Sequence, residues 1–112
     1  MSTDTLTWTA VCAVNDILPN TGVCALVDGR HVAIFRVGPD AFYAIDNVDP
    51  KSQASVLSRG LIGSLGERTV VASPLYKQHY DLRTGVCLED AAWSVQAHEV
   101  AVRDGRVWVS LA

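Results

Sequence analysis

The sequence predicts an antiparallel all-β domain, a sandwich or barrel of seven to nine short strands. Three observations predict it. Asp-Gly pairs sit between β-rich runs at 28–29 and again at 104–105, the strongest short hairpin signal. Apolar residues alternate with a period of two, as a half-buried sheet requires. Turns bearing Gly or Pro recur too closely to leave room for a long helix.

The elements follow in chain order. "LTWTAVCAV" (6–14) reads as a strand, and "NDILPNTG" (15–22) as a loop with one helical turn. "GVCALVDGRHVAIFRV" (22–37) is a hairpin about Asp28-Gly29, and Gly38-Pro39-Asp40 turns it into a further strand from Phe42 to Ile45. "ERTVVASP" (67–74) is a short buried strand stopped by Pro74, and "HYDLRTGVCL" (79–88) a hairpin around Arg83-Thr84-Gly85. "HEVAVRDGRVWVSL" (98–111) repeats the Asp-Gly device, with Val100, Val102, Val107 and Val109 in alternation. Two stretches read as irregular, 46–66 and 73–79, and long loops in a compact β-domain are usually functional.

With 112 residues, 49% of them hydrophobic, the chain reads as a single domain (1–112) able to bury one core. Its three cysteines, Cys12, Cys24 and Cys87, are dispersed, which predicts reduced thiols placed as small core residues or, for Cys87, near a turn. "MSTDTLTW" lacks the basic and apolar regions of a secretory signal, and no apolar run is long enough to cross a bilayer, so a cytoplasmic protein is expected. A formal charge of −3 and the lack of a nucleic-acid motif argue against nucleic acid as a partner. That charge is unevenly spread. Residues 51–83 carry five basic and two acidic side chains, leaving four basic and ten acidic elsewhere, so the middle segment is +3 against −6 for the rest. Such asymmetry can steer an acidic partner, or can be a chance excess on a solvated face.

Several constellations carry side chains capable of chemistry. Ser73 and His79 offer a nucleophile and a base, but no orienting acid or oxyanion loop accompanies them. Asp46 and Asp49 form a carboxylate pair, yet Asp and Asn before a proline are ordinary turn residues. The histidines and cysteines lack zinc spacing, and Gly60, Gly63 and Gly66 do not make the phosphate-binding fingerprint, so turns are expected there.

"YAIDNVDPKSQASVLSRGL" (43–61) and "VVASPLYKQHYDLRTG" (70–85) resemble the two loops of a Rieske iron–sulfur domain. There a C-x-H loop and a C-x-x-H loop clamp a [2Fe–2S] cluster through two Cys and two His. The frame of Tyr43-Ala44, Pro50, Gly60, Pro74, Tyr80-Asp81-Leu82 and Thr84-Gly85 is kept. The ligand positions instead carry Asp49, Lys51, Ser73 and Tyr76. An ammonium has no lone pair to give and hydroxyls of high pKa are poor ligands, so no cluster is expected. "DNVDP", "SVLSRGL" and "VASPLYKQHYDLRTGVCLED" together resemble the small subunit of the cytoplasmic NAD(P)H-dependent assimilatory nitrite reductase, over roughly Leu6 to Leu111.

That resemblance implies an accessory subunit with no catalytic residue and no cofactor of its own. Nitrite reduction to ammonia would belong to the large partner subunit, with its sirohaem, [4Fe-4S] cluster, FAD and NAD(P)H. The loop tip is then a candidate docking surface made of Lys51, Arg59, Tyr76, Lys77, Gln78 and His79. Alternatively the tip is a packed remnant, with Tyr76 filling the vacated volume and Asp49 paired with Lys51 or Lys77. Two other functions stay open: a Rieske-type ferredoxin electron carrier with non-standard ligands, and a stand-alone protein-interaction module.

Overall fold

The computed structural model describes residues 7–112; the expected start of the first strand at Leu6 lies outside them. Nine strands are present among the described residues: β1 Thr9–Ala13, β2 Thr21–Val27, β3 Arg30–Val37, β4 Ala41–Asp46, β5 Leu61–Leu65, β6 Arg68–Ala72, β7 His79–Asp81, β8 Ala97–Arg103 and β9 Arg106–Ser110. They form an antiparallel six-stranded sheet, ordered β1-β9-β8-β4-β3-β2, and a three-stranded sheet, β5-β6-β7. β1 and β2 approach one another and bring the larger sheet close to a barrel. No helix among the described residues is long and apolar enough to cross a membrane.

The two Asp-Gly hairpins form as expected. Asp28 and Gly29 have φ of 48° and 80°, Asp104 and Gly105 of 54° and 72°, and the flanking pairs are Val27↔Arg30 and Arg103↔Arg106. Two consecutive positive φ values match the twist of the strands they join.

β3, with β4 beside it, serves both cores. Ala33 and Phe35 point into one cluster with Ile45, Leu57, Val71, Tyr80, Leu82 and Cys87, which joins the two sheets. Val32 and Ile34 point into the other, with Ile17, Val27, Ala44, Val107 and Val109, inside the larger sheet. A strand covered on both faces reads as an unbroken apolar run, which is why "VAIF" does not alternate.

Several expectations need correction. Residues 46–66 are not wholly irregular, because β5 lies within them; Gly63 sits inside that strand rather than in a turn. The 79–88 hairpin has only one true strand, β7, and its return arm is held by an isolated Tyr80↔Cys87 bridge. Cys24 is exposed rather than in the core, while Cys87 is buried; none of the three cysteines is paired.

Candidate functional site

The first loop leaves β4 at Asp46, and Asn47 organises it. Buried Asn47 accepts from Val56 and Leu57 through its carbonyl, and its side-chain Oδ1 accepts from the Ser58 amide at 2.7 Å. Asp49 closes the tip: its amide donates to the Ala54 carbonyl and its carboxylate accepts from the Lys51 amide at 2.8 Å. The second loop links β6 to β7. Ser73 donates its amide to the Gln78 carbonyl and accepts the Lys77 amide, a tight turn that holds Lys77 at φ 65°.

The two loops are tied together from within. Asp49 is fully buried, and its carboxylate accepts from Ser73 Oγ at 2.5 Å and from Gln78 Nε2 at 2.9 Å. Gln78 Nε2 also donates to Tyr80 Oη at 3.0 Å. The donors to the Asp49 carboxylate are two neutral side chains and the Lys51 and Ser52 amides, so dipoles stabilise it where no ammonium or guanidinium does. Burial pushes the Tyr80 hydroxyl up to about 12; the Gln78 hydrogen bond opposes that rise and nearby Asp49 adds to it. Gln78 Oε1 is buried without a hydrogen-bond partner.

A second tie lies outside. Lys51 Nζ stands 5.0 Å from the Tyr76 ring centroid, a cation–π contact between the two tips. Tyr76 is 54% exposed, so it does not fill the space between the loops; Gln78 and Tyr80 lie there instead. Asp49 likewise meets the Lys51 backbone rather than an ammonium.

Of the six residues expected at the tip surface, Lys51, Arg59, Tyr76 and Lys77 are exposed, and Leu75 joins them unforeseen. Gln78 does not belong to that surface, being only 7% exposed and turned inward to Asp49. His79 is turned aside: its ring Nδ1 lies 2.6 Å from Glu89 Oε2, and its amide donates to Glu89 Oε1 at 2.7 Å. Burial raises the Glu89 carboxyl, but the His79 hydrogen bonds outweigh it and hold the group below its ordinary value.

Ser73 and His79 therefore form no nucleophile–base pair. Asp46 and Asp49 share no ligand either, since Asp46 faces Arg30 and His98. Among the described residues no group of three or more His, Cys, Asp or Glu side chains is placed to hold a metal ion. Sequence reading missed Asn47, Gln78 and Tyr80 as loop-binding residues. Period-two spacing of Gln78 and Tyr80 into β7 was the available signal, because it puts both on one face.

Comparison with known proteins agrees with this geometry. Residues 7–110 match the family of Rieske-like [2Fe-2S] domains. The NADH nitrite reductase small subunit of Salmonella typhimurium is 50% identical over 101 residues, covering 89% of this chain and 94% of that protein. The solution structure of the NAD(P)H nitrite reductase small subunit from Erwinia carotovora superposes with a TM-score of 0.82 at 53% identity, covering 94% of this chain and 82% of that one. A stretch of the Klebsiella oxytoca NAD(P)H nitrite reductase large subunit is 44% identical over 102 residues, covering 91% of this chain but only 11% of that larger protein.

Proposed function

The chain belongs to the Rieske-like [2Fe-2S] domain family, and from that premise we infer that it is the small subunit of an NAD(P)H nitrite reductase, an oxidoreductase. The observation that carries this is half-identity to such a subunit along nearly the whole length of both chains.

We propose further that the subunit works without a cluster. In a Rieske centre the two thiolates share one iron and the two imidazoles the other. The positions that would share the first iron are Asp49 and Ser73, joined here by a hydrogen bond; those that would share the second are Lys51 and Tyr76, joined by a cation–π contact. No thiolate or imidazole stands at any of the four, so the donor set does not fit a [2Fe–2S] centre. Each cross-loop pair has become a non-covalent tie, which keeps the two tips in register. Iron and acid-labile sulfide analysis of purified protein is expected to find neither; two irons per chain would overturn this part.

The remaining work is assembly. The flavin, haem and iron–sulfur chemistry resides in a large subunit, and this chain docks on it in the cytoplasm through the exposed tip of Lys51, Arg59, Tyr76 and Lys77. The Klebsiella oxytoca large subunit supports that partnership, because it carries a similar stretch within its own chain. Co-expression with the large subunit tests the reading. Stable co-purification and raised nitrite-dependent NAD(P)H oxidation are expected, and an equally active large subunit that ignores this chain would refute it. Replacing Lys51 and Lys77 by Glu is expected to weaken capture of the large subunit about tenfold, the order of one lost interface charge pair.

A further inference from the structure

The edges of the two sheets are not treated alike. β1 and β2 run near each other without pairing, and the 3₁₀ turn Leu57–Arg59 covers β2: a Cβ on Gly22 would come within 2.7 Å of the Ser58 carbonyl. The outer side of β7 is taken by residues 86–88, with the Asp81 amide bonded to the Val86 carbonyl and the Leu88 amide to that of His79, both at 2.9 Å. β5 differs. Beyond its ladder with β6, no residue from Leu61 to Leu65 makes a backbone or side-chain hydrogen bond among the described residues. Alternate N–H and C=O groups of this strand therefore face solvent.

Exposed edges are usually blunted by a charge, a proline or a bulge, and "LIGSL" has none of these. It presents apolar surface instead. Ile62 packs on the core, while Leu61 and Leu65 are 79% and 45% exposed on the opposite face, with Gly63 between them. Nothing among the described residues requires that glycine. Its φ is not in the left-handed region, and a Cβ built there meets nothing within 4 Å. A strand glycine with no internal reason leaves a notch between two leucines, the shape that a closely approaching external chain needs.

The start of the strand adds charge. A cavity of about 120 Å³ beside Leu61 is flanked by Arg59 and Lys77, with Pro74 on its wall and no acid in its lining. Neither cation forms a salt bridge among the described residues.

We propose that β5 receives an extended segment of the large subunit by strand addition, with a carboxylate of that segment seated between Arg59 and Lys77. This rests on the subunit reading above and deepens it, extending the docking surface from the loop tips down one sheet edge. Main-chain hydrogen bonds supply the pairing, the Leu61–Gly63–Leu65 notch accepts a side chain, and the two cations fix the register.

Amide hydrogen exchange on the small subunit, alone and in complex with its large subunit, tests this directly. The solvent-facing amides of 61–65 are expected to slow by about tenfold or more in the complex, since they pass from open edge to internal ladder. Gly63→Val should leave the thermal midpoint unchanged or raised, because the site is open and strands favour β-branched residues, yet weaken the complex about tenfold. Arg59→Glu should weaken it too, whereas Arg103→Glu on the other sheet should not. Protection of the loop tips with β5 unchanged would overturn strand addition and leave the subunit reading standing. Protection of β5 that grows with small-subunit concentration alone would make the occupant a second copy and overturn the proposal. Failure to form any complex would overturn both readings together.

Discussion

Asp46 and Asp49 lie three residues apart in one segment, and the fold holds them in opposite ways. Asp46 is partly exposed and meets Arg30 Nη2 at 2.9 Å and His98 Nε2 at 2.8 Å. The Ala112 amide donates to His98 Nδ1, which leaves the ring proton on Nε2 to point at Asp46. Asp49 is sealed from water and meets only Ser73, Gln78 and backbone amides. Asp46 fastens β4 to β3 through the Arg30 charge; Asp49 fastens two loops to each other through dipoles alone. A buried carboxylate held by dipoles alone is the more demanding arrangement, because each donor is needed to replace lost water.

The contrast breaks most visibly at Asp49→Ala. That change leaves the Ser73 hydroxyl buried without its acceptor and the Gln78 amide with Tyr80 alone, and is expected to cost about 3–5 kcal/mol in urea unfolding. Asp49→Asn should cost only about 1 kcal/mol, because Oδ1 still accepts from Gln78 and Ser73 Oγ can accept from the new amide. If the two variants proved equally destabilised, ionisation rather than hydrogen bonding would be what the loops require.

Tyr80 extends the same network and gives a smaller effect with a pH signature. Tyr80→Phe removes the Gln78–Tyr80 bond and should cost about 1 kcal/mol near neutrality. Its folded pKa of about 12 lies above the ordinary 10.0, so burial favours the neutral phenol. That contribution is whole below pH 10 and declines as pH rises toward 12. Wild-type protein should therefore lose stability across that window relative to Tyr80→Phe. Parallel unfolding curves for the two proteins from pH 9 to 12 would contradict the network's burial.

The two regions also differ in what could be read beforehand. Local rules decide hairpins, so Asp28-Gly29 and Asp104-Gly105 were legible from two residues each. β5 was not, because Gly63 and Gly66 resemble punctuation and only pairing with β6 turns "LIGSL" into a strand. The loop frame singles out Asp49, Lys51, Ser73 and Tyr76, but not the side chains they meet. Gln78 looks like a surface residue until the fold places Asp49 opposite it, 29 residues away in sequence. Asp49 itself follows its local rule, capping the Lys51 amide as a turn aspartate does, while its other oxygen serves a long-range bond that no local rule reveals.

The smallest effect belongs to Arg30. Its side chain is 40% exposed and that of Asp46 23%, so water and ions screen the pair, and Arg30→Ala should cost about 0.5 kcal/mol at low salt. In 1 M salt the screening length falls to about 3 Å, comparable to the pair's own separation, and the difference between variant and wild type should shrink toward zero. The loss at Asp49→Ala should not shrink, since its donors are neutral and the site excludes ions. Running both variants at low and high salt thus separates the two aspartates by mechanism. An Asp49→Ala penalty that faded with salt would mean that a mobile charge, such as the Lys51 ammonium beside Tyr76, reaches the carboxylate in solution.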